Sequence, residues 1–166
     1  SNWLTTGPEV VKFEKLIGKK VGVKYVSAVN SATSALHISC LALGLGKNDI
    51  LWTSSNTFVS SANCALFCGA KIDLVDINRN TYNIDVESLT KKLIVAKKKN
   101  KVPKILIVVH FAGQPCEMNE IFRLSKKYKF RIIEDASHAL GSRYKGTKIG
   151  DCRFSDITIF SFHPVK

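Results

Sequence analysis

Residues 105–135 read ILIVVHFAGQPCEMNEIFRLSKKYKFRIIED. The runs Ile105–Val109 and Phe130–Ile133 carry apolar residues on both faces, which is typical of parallel strands that are covered by helices on each side. Between them, Glu117–Tyr128 has the pattern of a helix. This β-α-β order predicts an α/β fold with a mostly parallel sheet and helices on both faces.

Strand-like and helix-like segments alternate along the rest of the chain as well. Gly18 is expected to end the first helix, and Asp85 is expected to cap the fourth. No repeat or long linker interrupts the pattern, so residues 1–166 are expected to form one domain. The pattern predicts helices at Pro8–Ile17, Ala32–Leu43, Phe58–Cys68 and Val86–Lys99, strands at Tyr25–Val29, Ile50–Thr53, Lys71–Val75 and Asp156–Phe160, and a hairpin at Gly141–Ile149.

Length and composition are those of an ordinary globular domain. The 166 residues are 45% hydrophobic, and no run of about 18 uncharged apolar residues predicts a transmembrane helix. The five cysteines form no CxxC pair, which favours a reducing cytoplasm over a secreted disulfide framework. The first residues show neither a signal-peptide pattern nor an initiator Met, and we interpret the chain, which stops at Lys166, as a fragment.

Two features have competing explanations. The net charge is +12, and lysines concentrate in residues 91–104 and 123–131. Such a surface can bind nucleic acid, but no nucleic-acid-binding motif accompanies it, which favours solvated helix faces. Cys64 and Cys68 stand one helical turn apart and can share a metal, but no His or further Cys flanks them. Two small core residues and no metal site are the favoured interpretation.

Small polar residues follow the predicted strands. In open α/β sheets, ligands bind beyond the carboxyl ends of the strands. The loops at those ends can therefore form one site, and they are Asn30–Thr33, Ser54–Thr57, His110–Gln114, Glu134–His138 and Ser161–Lys166.

The first of these loops, Asn30–Thr33, leads into a helix. Free backbone N–H groups at a helix N-terminus favour an anion, whereas simple capping by Ser31 is the plainer explanation. The chain has no GxGxxG and no Walker A sequence, so neither a Rossmann dinucleotide site nor a P-loop is supported.

Asp135 stands at the end of an apolar strand. A carboxylate there can pair with a protonated ring nitrogen, bind a metal or merely cap a following helix. His138 lies three residues on, one helical turn away, so both side chains can serve one ligand, although a lone histidine is more often structural.

Lys166 follows a strand that is expected to be buried, and a buried lysine is nucleophilic toward aldehydes. Ser161, five residues earlier, supplies a hydroxyl that fits phosphate binding. An anion loop, a strand-end Asp and a strand-end Lys match what pyridoxal 5'-phosphate (PLP) requires. The cofactor needs a phosphate cradle, an acid at its pyridine nitrogen and a Schiff-base lysine.

Short stretches along nearly the whole chain follow a known order and spacing. They are Thr5–Pro8, Phe13-Glu14, Asn30–His37, Thr57–Val59, Gly69-Ala70, Asp76-Ile77, Val109–Pro115, Glu134–Gly141 and Phe160–Lys166. Together these stretches resemble the DegT/StrS-type sugar aminotransferases, which are PLP-dependent transferases of the aspartate aminotransferase (type I) fold. Within the family, Asn30–Leu36, Ser137–Ser142 and Phe160–His163 are most similar to the pseudaminic-acid branch.

The resemblance implies cofactor-binding roles for Ala32, Thr33, Phe58, Asp135, His138, Ser161 and Lys166. Lys166 would be the catalytic residue that forms the Schiff base with PLP. Asp135 would pair with the pyridine nitrogen, and Phe58 would stack on the ring.

The phosphate would be held by Ala32 and Thr33 together with Ser161. Ala32 stands where many relatives have Gly, which still leaves its backbone N–H free. His138, where many relatives have Gln, would lie near the ring hydroxyl.

The resemblance also implies what the whole protein does. Residues 1–166 would be the N-terminal part of the PLP-binding large domain, truncated at the cofactor lysine, of a cytoplasmic homodimer. The enzyme would transfer an amino group from glutamate to a UDP-linked 4-keto-6-deoxy N-acetyl sugar in cell-surface glycan biosynthesis, without nucleic acid or membrane partners. Lys166, where a related dehydratase has His, favours transamination. The alternatives are a PLP-binding regulatory domain, a 3-amino sugar transaminase of the same family, and a basic α/β domain that binds nucleic acid.

Overall fold

The computed structural model describes residues 7–166. Thr5 and Thr6 of the first family-like stretch, and the segment that lacks a signal-peptide pattern, lie outside the described residues. The helices are α1 Pro8–Val21, α2 Ala32–Ala42, α3 Ser60–Phe67, α4 Val86–Lys98 and α5 Met118–Tyr128. The strands are β1 Ile50–Ser54, β2 Lys71–Val75, β3 Ile105–Val109, β4 Arg131–Asp135, β5 Arg143–Tyr144, β6 Thr147–Lys148 and β7 Ile157–Ile159.

The main sheet of the described residues has five strands in the order β2-β1-β3-β4-β7. Every neighbouring pair is parallel. The strands β5 and β6 form a separate antiparallel hairpin around Lys145 and Gly146, as the sequence predicts. The predicted α/β fold with a mostly parallel sheet is therefore confirmed.

Helices cover both faces of the sheet because β3 is apolar on both sides. Ile105 and Ile107 pack in a core with residues of α2 and α3, whereas Leu106 and Val108 pack in a second core with residues of α4 and α5. Successive side chains of a strand point to opposite faces, so one short run of apolar residues supplies both cores.

The first helix continues beyond its predicted end. Gly18 lies inside α1, and the helix ends at Gly22, which takes the left-handed conformation (φ 90°) and donates its N–H to Gly18 O at 2.8 Å. A Cβ on Gly18 would lie only 3.0 Å from Val23 O. Gly18 therefore allows the chain to pack closely, and Gly22 is the residue that ends the helix.

The predicted strand Tyr25–Val29 is wrong. No strand among residues 7–166 pairs with this segment, and Tyr25 is 81% exposed. The N–H of Ala28 instead donates to the Glu14 carboxylate at 2.8 Å. A strand requires a ladder partner for its backbone groups, and apolar composition alone does not provide one.

Two boundaries shift at the edge of the sheet that carries the candidate loops. The third helix begins at Ser60 rather than at Phe58. The strand β4 extends through Glu134 and Asp135, because Asp135 pairs with Val109 of β3 and with Ile159 of β7. These two acidic residues are therefore held by the ladder and do not lie in a loop.

The lysine-rich segments form exposed helix ends, as favoured from the sequence. Lys97 and Lys98 lie in the last turn of α4, and Lys126 and Lys127 lie in the last turn of α5. Cations at helix C-termini interact favourably with the helix dipole. Across residues 7–166, no helix combines the length and the apolarity needed to cross a bilayer.

The cap of α4 provides a stability prediction. Ser88 N–H donates to Asp85 Oδ1 at 2.6 Å, and this bond holds the pKa of Asp85 below its usual value. In the complete gene product, Asp85→Ala is expected to cost about 1 kcal/mol of stability at neutral pH. Because the folded-state pKa is lowered, this contribution is present above about pH 4 and is lost as the pH falls below it.

Thermal unfolding of wild type and Asp85→Ala between pH 3 and pH 7 measures this effect. The difference between the two midpoints should narrow toward pH 3. An Asp85→Ser variant, which keeps a capping oxygen without a titrating group, should retain most of the wild-type stability. A difference between wild type and Asp85→Ala that is equal at both ends of the pH range would contradict the assignment.

Candidate active site

A cavity of about 1240 Å³ lies at the carboxyl edge of the sheet. It is bounded by α1, by the segment between α1 and α2, by α2 itself, and by residues of and after the strands β3, β4 and β7, with Thr57 and Phe58 after β1. The order of the strands reverses between β1 and β3, and ligands of open α/β sheets bind beside such a point. All seven predicted site residues line this cavity, namely Ala32, Thr33, Phe58, Asp135, His138, Ser161 and Lys166.

The start of α2 forms one wall of the cavity. Ser31 caps the helix, since its Oγ accepts from Ser34 N–H at 3.1 Å. The N–H groups of Ala32 and Thr33 are in the first turn and have no intrahelical acceptor. The two interpretations of this loop are therefore compatible, because the Ser31 cap leaves these two N–H groups available for an anion.

The Thr33 side chain is fixed against α3. Its Oγ1 lies 2.7 Å from Ser60 Oγ at the first residue of that helix. Ser161, the other residue predicted at the phosphate, is half-buried in the same cavity, and its Oγ accepts from His163 N–H at 3.4 Å. Among the described residues, no hydrogen bond joins Ser161 to the start of α2.

Asp135 is held firmly at the floor of the cavity and is only 5% exposed. Ser61 Oγ donates to its Oδ2 at 2.7 Å, and Ser137 donates to its Oδ1 from Oγ at 2.7 Å and from N at 3.2 Å. Thr57 Oγ1 in turn donates to Ser61 Oγ at 2.9 Å. A carboxylate has about four lone-pair directions, so three donors leave one for a protonated ring nitrogen.

The alternative in which Asp135 only caps a helix is wrong. Turns, and no helix, follow β4 as far as β5. For the same reason His138 is not one helical turn from Asp135. Its ring faces Lys166 instead, with 3.0 Å between His138 Nε2 and Lys166 Nζ.

Lys166 lies among polar and aromatic groups at the mouth of the cavity. Its Nζ is 5.6 Å from the centroid of the Phe58 ring, in addition to its contact with His138. The expectation that Lys166 is buried directly after a strand is wrong, because β7 ends at Ile159 and Lys166 is exposed. The environment of the amine is therefore set by its contacts with His138 and Phe58 and not by burial.

Sequence reasoning missed three serines of the site. Ser60 and Ser61 were placed inside a helix from Phe58, whereas they begin α3 and contact Thr33 and Asp135. Ser137 stands two residues after Asp135, a spacing at which an Asp side chain commonly bonds to the backbone. That spacing was a usable signal, but the contacts of Ser60 and Ser61 depend on the packing of α3 against the sheet.

The cysteine pair considered for a metal has a different partner. The Sγ of Cys64 lies 3.7 Å from that of Cys40 on α2, and both side chains are buried. Within residues 7–166, no three His, Cys, Asp or Glu side chains are grouped to hold a metal ion. Cys64 is a core residue in this structure.

The geometry gives the cavity three chemically distinct parts. It has free N–H groups for an anion, a buried carboxylate with a remaining lone pair, and an amine beside an imidazole and an aromatic ring. A planar ligand that has an anionic tail, a basic ring nitrogen and an aldehyde satisfies all three parts.

Similarity to known proteins agrees with this chemistry. The model of the DegT/DnrJ/EryC1/StrS aminotransferase family matches residues 1–166. The UDP-4-amino-4,6-dideoxy-N-acetyl-beta-L-altrosamine transaminase of Campylobacter jejuni (strain 81-176) is 47% identical over 98% of this chain and 42% of its own length.

Solved structures are similar over the same part. Spr1654 of Streptococcus pneumoniae in its PLP form has a TM-score of 0.87 and 30% identity, over 100% of this chain and 44% of that one. PseC of Helicobacter pylori, an aminotransferase of pseudaminic acid biosynthesis, has a TM-score of 0.84 and 32% identity, over 98% of this chain and 42% of that one. The chain thus spans less than half the length of these relatives. On the match along its whole length, the chain belongs to the DegT/DnrJ/EryC1/StrS aminotransferase family.

Proposed function

We propose that the complete gene product is a PLP-dependent aminotransferase that acts on a nucleotide-linked keto-sugar. The observation that carries this proposal is the convergence of Lys166 Nζ, the Asp135 carboxylate and the free N–H groups of α2 on one cavity. The PLP form of the S. pneumoniae relative and the altrosamine transaminase of C. jejuni support the cofactor and the substrate class.

The residues present fit PLP at both of its ends. The N–H groups of Ala32 and Thr33 would bind the phosphate with the Ser161 hydroxyl. Asp135 would hold the proton on the pyridine nitrogen, and Phe58 would stack on the ring. When bound, the cofactor supplies the electron sink that this reaction type requires.

Lys166 would perform the proton transfer. Its Nζ would hold the cofactor covalently at the cofactor's aldehyde carbon, and once the amino donor takes its place, the freed amine would accept a proton from the donor α-carbon and deliver it to the cofactor. His138, at 3.0 Å, would orient the amine and lie near the ring hydroxyl. Stacking by Phe58 would exclude water from one face of the ring.

The finer part of the proposal concerns substrate and assembly. Glutamate is the amino donor, and the acceptor is the 4-keto group of a UDP-linked 6-deoxy N-acetyl sugar in the pseudaminic-acid branch. The identity to the C. jejuni transaminase and the likeness to PseC support the choice of acceptor sugar. The protein would work in the cytoplasm as a homodimer, in cell-surface glycan biosynthesis.

The test incubates the complete gene product with PLP, glutamate and a UDP-4-keto-6-deoxy N-acetyl sugar. We expect 2-oxoglutarate and a 4-amino sugar to form in equal amounts over many turnovers only when all three are present. Without the sugar, 2-oxoglutarate should stop at the one equivalent per cofactor that the donor half-reaction releases. PLP binding without transfer would identify a regulatory domain, and amination at carbon 3 would identify a 3-amino sugar transaminase. Salt-dependent binding to nucleic acid without PLP binding would favour the basic-domain alternative.

A further inference from the structure

A buried acid–imidazole pair lies beside the cavity and has no role in the proposed chemistry. His110 follows β3 and is 1% exposed, and Glu134 on β4 is 3% exposed. His110 Nε2 lies 2.7 Å from Glu134 Oε2. Burial of two ionisable side chains is costly unless their hydrogen bonds are satisfied, so the partners of both are informative.

The backbone fixes the tautomer of His110. Cys116 N–H donates to His110 Nδ1 at 3.1 Å, so Nδ1 carries the lone pair. The ring proton therefore resides on Nε2 and is donated to Glu134. Because both ring nitrogens are engaged, the imidazole has one orientation, and it fixes the start of the loop that follows β3.

The second carboxylate oxygen of Glu134 accepts hydrogen bonds from residues near and on β7. Glu134 Oε1 accepts from the hydroxyl of Ser155 and from Thr158 Oγ1, the latter at 3.2 Å. Thr158 lies on β7, the strand that leads to Lys166. Glu134 therefore accepts hydrogen bonds from both neighbours of β4.

Asp135 is the next residue and points to the other face of the sheet. Its carbonyl accepts from His110 N–H at 3.1 Å, and Ala136 N–H donates to Ile159 O at 2.8 Å. Glu134 and Asp135 thus point to opposite faces of the sheet from one strand, and two partners of Glu134, His110 and Thr158, also line the cavity.

We propose that Glu134 is a positioning residue whose two oxygens hold the exit of β3 and the strand β7 in register with β4, so that Asp135 and Lys166 reach one ligand together. The proposal rests on the proposed function for the identity of that ligand. The hydrogen-bond arrangement around Glu134 is independent of the proposed function and can be measured without PLP.

The test compares Glu134→Met with Glu134→Gln in the complete gene product. Glutamine can offer its oxygen to His110 and its NH₂ to the two hydroxyls, which accept as well as donate. Methionine has a similar length and offers no acceptor. We expect Glu134→Met to lower kcat roughly tenfold with little change in the KM for glutamate, and Glu134→Gln to stay within about twofold of wild type.

A second readout is the ¹⁵N spectrum of His110 in the cofactor-free protein. We expect a protonated Nε2 and an unprotonated Nδ1 in wild type and in both variants, because Cys116 N–H holds Nδ1, and a shifted Nε2–H resonance only in Glu134→Met, which offers that proton no acceptor. A protonated Nδ1 in wild type would overturn the proposal whether or not the protein is a transaminase. Absence of transamination together with the expected spectra would count against the proposed function alone.

Two controls separate positioning from loss of stability. Asp85→Ala weakens a cap remote from the cavity and is expected to leave kcat unchanged. If Glu134→Met does not fold, Thr158→Val is compared with Thr158→Ser. The valine removes the hydroxyl that donates to Glu134 Oε1 and the serine keeps it, so Thr158→Val should have the lower kcat. Equal kcat for the two members of whichever pair is measured would overturn the proposal.

Discussion

Replacing Lys166 by alanine in the complete gene product is expected to remove the Schiff-base absorbance band and to slow amino transfer by about 10²–10⁴-fold. The reason is that, in the proposed function, one amine supplies both the covalent link to the cofactor and the group that moves the proton. The nearest basic group, the His138 imidazole at 3.0 Å from Nζ, cannot form a Schiff base with an aldehyde.

The variant should still bind PLP, because the groups predicted at the phosphate and at the pyridine nitrogen are unchanged. Borohydride treatment followed by mass measurement separates the two states, since it attaches PLP covalently to the wild type and not to Lys166→Ala. Lys98→Ala, an exposed lysine in the last turn of α4, is the matched control and should behave as wild type. Persistence of the band in Lys166→Ala would refute the assignment of this residue.

The second large effect is expected from Gly113→Ala. Gly113 follows β3 with φ +81°, and a Cβ there would lie 2.6 Å from His138 O. The substitution combines a left-handed conformation with a clash against backbone, at a total cost of about 2–4 kcal/mol. Since His138 faces Lys166, the displaced backbone should also weaken the Schiff-base band.

Gly69→Ala is the control for this prediction. Gly69 has a similar φ of +70°, but nothing lies within 4 Å of its Cβ position. It should therefore lose only the conformational part, about 1–2 kcal/mol. Thermal midpoints and PLP spectra of both variants provide the comparison, and equal losses in the two would show that the contact with His138 is unimportant.

The sequence predicts the sheet well where a single strand supplies two cores. The run at 105–109 is apolar at every position, and a strand that is covered on both faces buries its first four residues, with Val109 partly buried. The position of the site follows from that architecture, since parallel strands place their carboxyl ends at one edge. The seven predicted site residues line one cavity for this reason.

The predictions that were wrong or missing depend on contacts between residues that are separate in the sequence. Tyr25–Val29 is as apolar as a strand, but it has no ladder neighbour among the described residues. A glycine at position 18 is typical of a helix end, but here it lies inside α1, where the close approach of Val23 O leaves little room for a side chain. No sequence pattern marks Ser61 as a site residue, because its role depends on a hydrogen bond to Asp135, which is distant in the chain.

The two serines at the start of α3 contact two different parts of the cavity lining, the start of α2 and the Asp135 carboxylate. Ser60 contacts Thr33, and Ser61 contacts Asp135. Neighbouring Cα atoms across a trans peptide are fixed at about 3.8 Å, a spacing set by covalent geometry that no repacking can stretch. The wall at the start of α2 and the carboxylate floor are therefore joined through a single peptide unit of α3. If α3 moves, the backbone positions that carry both contacts move together.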